Sequence, residues 1–442
     1  MSMRDTIYAL ASAAGKSGVA VFRISGSAGP TALRLLGVEK PLAPRHATLV
    51  TLKTSGPSPV TIDTALALYF PAPHSFTGEE VVELHTHGSR AVTTLLLDSL
   101  AAIPGLRMAE PGEFARRAFY HNKLDLVEVE GLADLIDAET ASQHAQALRQ
   151  MGGTTTERLN GLRAAILGPL ALMEAYIDFP DEEIPEEVVT EATDRIATVK
   201  AEISALLDDG GIGEKIRDGL EIVILGPPNA GKSSLLNALA KRDAAIVSAE
   251  AGTTRDLIEI HLDIGGYAVT LVDTAGIRDT SGTIEAEGIR RARARAEQAD
   301  LILRLCDIES VAEQASTIQA EMDGRTLVIA TKSDRAPLPV LPFAALPISV
   351  TTGDGLSKLI AALTREIATR MGSVAAPLIT RARHRAALIE ARDALTRFDI
   401  HAPLELAIEE LRLGANAIAK ITGKIWVDDV LDLVFSRFCI GK

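Results

Sequence analysis

The chain has 442 residues, 47% of them hydrophobic and 24% charged, and its 59 acidic against 45 basic residues leave a formal net charge of -14. That length exceeds one compact core and predicts two to three domains, and the ordinary composition excludes a disordered chain. The acidic balance excludes a surface that grips nucleic acid throughout, because phosphate contacts need many Lys and Arg, so any RNA contact must be local or shared.

The first residues lack a basic, apolar and small-residue leader pattern, and no uncharged apolar run reaches about 18 residues, which predicts a cytoplasmic protein with no membrane role. Two widely separated cysteines, Cys306 and Cys439, are too few for a disulfide framework. Val19 to Ile24, Ala65 to Phe70 and Val81 to Leu84 are predicted strands broken by Gly, Pro and Ser clusters, with a helix over Val92 to Leu100. The first ~120 residues are therefore expected to form an α+β domain. His85 and His87 share one face of a strand, but with no clear third ligand they are read as hydrogen-bonding histidines.

From Asp125 to about Leu207 aliphatic residues recur at helical spacing, interrupted only at Phe179 to Pro185. The same character returns from about Ile379 to Leu433. Between them, Leu220 to about Ile367 forms a self-contained α/β pattern, so it reads as an insertion into one discontinuous helical bundle.

Inside that insertion the strand Leu220 to Leu225 leads into Gly226-Pro227-Pro228-Asn229-Ala230-Gly231-Lys232-Ser233-Ser234 and then a helix. This fits GxxxxGK[ST], in which backbone N–H groups wrap phosphates at a helix N-terminus, Lys232 reaches the outer phosphates and Ser233 holds Mg2+. Asp273-Thr274-Ala275-Gly276 supplies the DxxG element: Asp273 approaches the metal through water and Gly276 senses the terminal phosphate. Thr331-Lys332-Ser333-Asp334 supplies [NT]KxD, whose carboxylate accepts from the guanine N1–H and exocyclic amine while the Lys stem packs on the base. Thr331 in place of the commoner Asn weakens one base contact, leaving discrimination mainly to Asp334. Ser349-Val350 suits the last base-cradling loop. Four elements in this order predict a Ras-like GTPase domain.

Ile277 stands where a water-orienting Gln would follow DxxG, so another group must serve hydrolysis. The amide oxygen of Asn229 and the switch loop Ser248-Ala249-Glu250-Ala251-Gly252-Thr253-Thr254, rich in carbonyls and hydroxyls, could together hold a monovalent cation; a K+ there would supply the charge of an arginine finger. Thr254 is the natural second Mg2+ ligand. Arg290, Arg291, Arg293 and Arg295 are interspersed with Glu and read as a solvated helix face, and Cys306 reads as a core residue.

GPPNAGKSS, AGTTRD, DTAGIRDTSGTIEAEGI and the terminal CIGK, with Asp5-Thr6-Ile7, Val21 to Gly26, Phe76 to Glu79, Pro111 to Phe114 and Lys123 to Leu126, together resemble the MnmE (TrmE) family of tRNA-modification GTPases over essentially the whole chain. The resemblance implies a multidomain α/β and α protein: an N-terminal folate-binding and dimerisation domain (1–122), a discontinuous helical domain (123–216 and 376–442) and a GTPase domain (217–375). It implies a homodimer whose GTPase domains pair when K+ and nucleotide bind, and a heterotetramer with an FAD-containing partner, MnmG or GidA. That complex adds a carboxymethylaminomethyl-type group to carbon 5 of the wobble uridine of certain tRNAs, using 5-formyl- or 5,10-methylene-tetrahydrofolate. Asn229, Ser248, Glu250 and Thr253 match K+ positions, and Glu285 matches the acidic residue that positions water indirectly. Arg23, Glu83, Lys123 and Lys442 match folate positions. Cys439 is read either as a nucleophile or acid in the modification step or as a small buried apolar residue.

Overall fold

The computed structural model describes residues 5–177, 185–241, 258–273, 294–372, 377–425 and 428–436, with Phe438, Ile440 and Gly441. In chain order the elements are β1 (Thr6–Leu10), β2 (Ser17–Ser25), α1 (Gly29–Leu35), β3 (Thr48–Lys53), β4 (Thr61–Phe70), β5 (Val81–Gly88), α2 (Arg90–Ala101), β6 (Leu106–Met108), α3 (Glu113–Tyr120), α4 (Leu126–Asp137), α5 (Ala141–Met151), α6 (Thr154–Ile177), α7 (Glu186–Leu207) and α8 (Ile212–Asp218). They continue with β7 (Leu220–Leu225), α9 (Lys232–Ala240), β8 (Ile258–Ile264), β9 (Tyr267–Asp273), β10 (Leu301–Asp307), α10 (Ala315–Glu321), β11 (Thr326–Thr331), β12 (Ala345–Pro347), α11 (Leu356–Met371), α12 (Ala382–Arg397), α13 (Leu404–Thr422) and α14 (Asp428–Ser436). The described residues group into two compact units, one within Met1–Ala133, Thr156–Arg163 and Asn416–Lys442, the other within Asp134–Thr155 and Ala164–Ala415.

The first unit is built on a sheet of order β3-β4-β5-β2-β1-β6, antiparallel except for β1 beside β6. Strand alternation sends Phe22, Ile24, Leu52 and Leu84 into a core closed by Leu96 and Leu100 of α2. Their neighbours in sequence, among them Arg23, Glu83 and His85, belong to the opposite face. The last part of the chain is built into this unit: Phe435 and Phe438 pack with Phe119, Leu126 and Val129. Gly112 is left-handed (φ 66°), and a Cβ there would stand 2.5 Å from the Phe435 carbonyl oxygen, so the contact requires glycine. Ile440 bridges Pro111.

The second unit contains a sheet of order β12-β11-β10-β7-β9-β8, parallel throughout except for the β8–β9 hairpin. Ile222, Ile224, Leu303, Leu305 and Ile329 bury one face under Leu235, Leu236 and Leu239 of α9 and Leu359 and Leu363 of α11. Fully buried parallel strands read as continuous aliphatic runs, which is how β7 and β10 appear.

The helical stretch that follows Asp125 is more divided than its periodicity predicts. Breaks fall at 138–140 and 152–153 as well, while most of Phe179 to Pro185 lies outside the described residues. At the first break Thr140 and Gln143 form a reciprocal capping box that starts α5; at the second, left-handed Gly153 (φ 79°) ends it. Aliphatic spacing continues across both breaks, so periodicity alone does not register them.

The short helix α8, immediately ahead of β7, is gripped from two sides. Arg385 of α12 pairs with Asp209 and Glu214 at 2.7 Å each and donates to the Leu207 carbonyl, while Gln146 of α5 donates to the Gly213 carbonyl at 3.0 Å. A Cβ on Gly213 would stand 1.9 Å from the Ile379 carbonyl oxygen. Gly213→Ala is therefore expected to destabilise the protein by about 3 kcal/mol. Gly161→Ala in α6, where a Cβ meets nothing within 4 Å, should raise stability by roughly 0.5–1 kcal/mol through helix propensity. Thermal unfolding of the two variants checks both signs.

Candidate functional site

β7 lies between β10 and β9, so the loop after it opens at the carboxyl edge of the sheet where connections depart to either side, the usual ligand position in such sheets. A Cβ on Gly226 would come 2.6 Å from the Leu305 carbonyl oxygen, so only glycine lets the chain pass β10 here. The Ala230 N–H donates to the Pro227 carbonyl at 3.2 Å, and Asn229 (φ 63°) and Gly231 (φ 89°) are left-handed. Asn is among the few side chains that accept this conformation readily. The turn hands the chain to α9, whose first residue is Lys232.

Lys232 is buried, and its Nζ donates to the carbonyls of Gly226 and Pro227 at 2.7 and 2.9 Å, inside the loop's own curve. Burial lowers its pKa, Asp273 opposes that shift and Arg304 adds to it. An anionic phosphate in the loop would push that pKa back up. The next residue, Ser233, donates its hydroxyl to Asp273 Oδ2 at 3.1 Å, and Asp273 is fully buried at the end of β9. A hydroxyl beside a carboxylate is an all-oxygen donor set of the kind Mg2+ takes with substrate phosphates. Ser234 is exposed on the first turn of α9.

The Thr331–Asp334 and Ser349–Val350 segments converge on the same edge. Thr331 ends β11 with its hydroxyl between the carbonyls of Ala230 (2.8 Å) and Cys306 (3.1 Å), so this side chain ties the phosphate loop to β10 and β11. Lys332 is left-handed (φ 59°), and its Nζ pairs with Asp307 at 2.5 Å. Asp334 Oδ1 accepts from the Ser349 hydroxyl at 2.5 Å; that bond and one from its own backbone hold its carboxyl below the usual range. Each carboxylate oxygen has two acceptor sites, so the pair can still receive two N–H donors. The Ser333 N–H donates to the Ile348 carbonyl at 3.0 Å, and Val350 packs against the core behind. Cys306 is a fully buried core residue whose thiol burial pushes up to about 11.

The first unit holds a second cluster. Arg23 of β2 stands opposite Glu83 of β5, donating from Nε at 3.0 Å and from a terminal nitrogen at 2.9 Å to one carboxylate oxygen. Its guanidinium lies 5.2 Å from the Phe76 ring centre and 5.7 Å from that of Phe114. His85 Nε2 is 3.5 Å from the other Glu83 oxygen, and His87 Nδ1 is 2.9 Å from Asp63. Both histidines are thus hydrogen-bonded, and among the described residues no group of three or more His, Cys, Asp or Glu side chains is placed to hold a metal. The Lys123 Cε lies 3.3 Å from where a Cβ on Gly78 would stand, which puts it on the 75–80 loop that carries Phe76.

That loop is held by residues the sequence reading left without a role. Ser25 donates to Glu79 at 2.7 Å, Arg117 pairs with Glu79 at 2.9 Å and with Glu113 at 2.9 Å, and Arg107 pairs with Glu113 at 2.6 Å. Burial alone would raise the Glu113 pKa, but the hydrogen bonds from Arg107, the Glu110 N–H and Arg117 bring it below the usual carboxylate range. The Phe76 to Glu79 and Pro111 to Phe114 segments were conspicuous in sequence; their mutual contact was not.

Ser248, Ala249, Glu250, Ala251, Gly252, Thr253, Thr254, Thr274, Ala275, Gly276, Glu285, Cys439 and Lys442 lie outside the described residues.

Comparison with known proteins covers nearly the whole chain. Residues 126–439 match the family model described as the MnmE helical domain, and residues 6–123 match that of the GTP-binding protein TrmE N-terminus. The chain is 49% identical over 448 residues to the tRNA modification GTPase MnmE of Paramagnetospirillum magneticum, covering 100% of both chains. It is 50% identical over 448 residues to the tRNA modification GTPase MnmE of Parvibaculum lavamentivorans, covering 99% of this chain and 100% of that one. The G domain of the Thermotoga maritima FeoB iron transporter overlays 34% of this chain and 99% of its own at 25% identity, with a TM-score of 0.27.

Asp334→Asn replaces an acceptor pair by one acceptor and one donor, which suits xanthine rather than guanine. If Asp334 takes two hydrogen bonds from guanine, GTP affinity should fall by at least about a hundredfold while xanthosine triphosphate gains. Competition binding with the two nucleotides measures the exchange.

Proposed function

The chain belongs to the MnmE family of tRNA modification GTPases and hydrolyses GTP, and on that premise we propose that it is a K+-stimulated enzyme acting with an FAD-containing MnmG/GidA partner on the wobble uridine. In this reading the loop of Gly226 to Ser234 takes the triphosphate, Ser233 and Thr254 hold Mg2+, and Asp334 selects guanine. Ile277 has no polar group to orient water, so Glu285 does so indirectly. Asn229, Ser248, Glu250 and Thr253 hold K+, which supplies positive charge where it develops in the transition state. The observation that carries the reading is Asn229 itself: an exposed, left-handed amide at the tip of the phosphate loop, where this chain carries Asn rather than glycine. Replacing K+ by Na+ is expected to lower the rate of GTP hydrolysis at least about tenfold at saturating GTP. Equal turnover in the two salts contradicts the cation role.

For the first unit we infer a tetrahydrofolate site. The Arg23–Glu83 pair offers a carboxylate suited to a pterin's donor edge beside a guanidinium suited to an anionic tail or formyl oxygen, with Phe76 and Phe114 as flat apolar walls. Ile440 and Gly441 lie in the same unit, against Pro111 and the Leu10 carbonyl, which supports Lys442 as a member of this site, while Cys439 serves either in the modification step or as a small apolar residue. The face of the sheet away from its core exposes Val19 (56%), Leu49 (69%) and Leu66 (43%), apolar residues that a second copy of the chain would cover in a homodimer. The domain limits 1–122, 123–216 with 376–442, and 217–375 belong to the same reading. Among the described residues no helix is long and apolar enough to cross a membrane, which suits work on tRNA in the cytoplasm. Titration calorimetry with 5-formyltetrahydrofolate should give a saturable isotherm that weakens at least about tenfold in Arg23→Ala, the loss of one charged hydrogen-bond donor. A flat titration of the unaltered protein excludes the site.

A further inference from the structure

Asp307 belongs to none of the four nucleotide motifs and is 25 residues from Lys332 in sequence, yet the end of β10 places its carboxylate 2.5 Å from the Lys332 ammonium. We propose that Asp307 is a positioning residue for guanine nucleotides, holding the Lys332 stem as a ready-made wall of the base slot before the nucleotide arrives.

The carboxylate is itself fixed. Oδ2 receives Lys332, while Oδ1 accepts the Glu309 N–H at 3.1 Å; the Ser310 N–H and hydroxyl both reach the Asp307 carbonyl, at 3.0 and 3.3 Å. The loop after β10 therefore closes on Asp307 and leaves one oxygen directed at Lys332. Burial works against ionisation, but the Lys332 bond and the Glu309 N–H outweigh it and keep the group charged.

Lys332 needs such a tether. Its backbone is left-handed, a conformation an unbranched, non-glycine side chain seldom takes, and it lies between a fully used Thr331 hydroxyl and an Asp334 already bonded to Ser349. A free lysine stem loses much rotamer freedom when it lies flat on a base. With the ammonium anchored on Asp307, that ordering is complete in the unliganded protein. Because the contact is with the flat base and not the terminal phosphate, it should serve GTP and GDP equally and leave the hydrolytic step alone. Lys332 covers the ring face rather than its 2-amino group, so preference between guanine and hypoxanthine should also be untouched.

Dissociation constants for GTP, GDP and inosine triphosphate, with single-turnover hydrolysis at saturating GTP, test this on the full chain in Asp307→Asn, Lys332→Met and the double variant. Asn keeps an oxygen for the Glu309 N–H while removing the charge. The expected result is a roughly tenfold weakening of GTP and GDP together in Asp307→Asn, with the GTP-to-inosine-triphosphate ratio and the saturating rate changed less than twofold. The double variant should bind no more weakly than Lys332→Met alone, since both act through one contact. Unchanged affinities, a loss confined to GTP, or additive losses in the double variant overturn the proposal. If Asp307→Asn lowers the melting temperature enough to blur the comparison, Lys332→Met, which leaves the loop after β10 intact, decides it: unchanged GDP affinity there overturns the assignment.

Discussion

The nucleotide site depends on one close passage, that of Gly226 against the Leu305 carbonyl. Had the chain after β7 been forced away from β10, the phosphate loop could not lie within reach of Thr331, whose hydroxyl joins the Ala230 and Cys306 carbonyls. That hydroxyl is buried, so leaving those acceptors unmet would cost about 1–3 kcal/mol. The glycine-rich loop and the Thr331–Asp334 segment are thus fixed to each other through backbone groups of adjacent strands, with no ligand contact needed. Rigid placement of this kind is what lets a few side chains discriminate one base from another.

Seen from that edge, Thr331 has a different emphasis from the one its motif suggests. Reading [NT]KxD by itself assigns the first residue to the base, and a Thr there looks like a weakened Asn. In the folded protein Thr331 is almost fully buried and its hydroxyl contacts the Ala230 carbonyl of the glycine-rich loop, so this side chain ties the two loops together. In the proposed reading the polar contacts to guanine fall to Asp334, one of whose oxygens Ser349 holds in place.

The aliphatic runs of β7, β10 and β11 and the glycine-rich turn between β7 and α9 were legible because a parallel sheet buried on both faces demands such runs and a phosphate loop demands glycine at set positions. The α+β character of the first unit was legible for a similar reason, since alternation in β2 and β5 reports which residues enter the core. Composition and spacing did not reveal contacts set by long-range register, and only the family resemblance put Arg23 and Glu83 in one site. Arg23 faces Glu83, 60 residues on, only because β2 pairs with β5, and Asp307 meets Lys332 only because β10 pairs with β11. Breaks at Thr140 and Gly153 were missed because a cap is a local hydrogen-bond pattern laid over an unbroken aliphatic period.

The first unit shows how a charged cluster can be kept partly buried without being left unsatisfied. Two arginines and two glutamates alternate through Arg107, Glu113, Arg117 and Glu79, and Ser25 adds a neutral donor at the last carboxylate. Removing Arg117 would leave Glu79 without its cation, which costs more than the pair's own net contribution, whereas Glu113 would keep Arg107. The chain of pairs runs from α3 to the 75–80 loop, the loop that brings Phe76 over Arg23. The guanidinium that faces Glu83 is therefore oriented from behind by aromatic rings, and those rings are held by a network lying outside the site itself. Glu79 and Arg117 thereby fix the loop whose Phe76 ring lies 5.2 Å from the Arg23 guanidinium, so the placement of that guanidinium is set by charges that lie beyond its own partner Glu83.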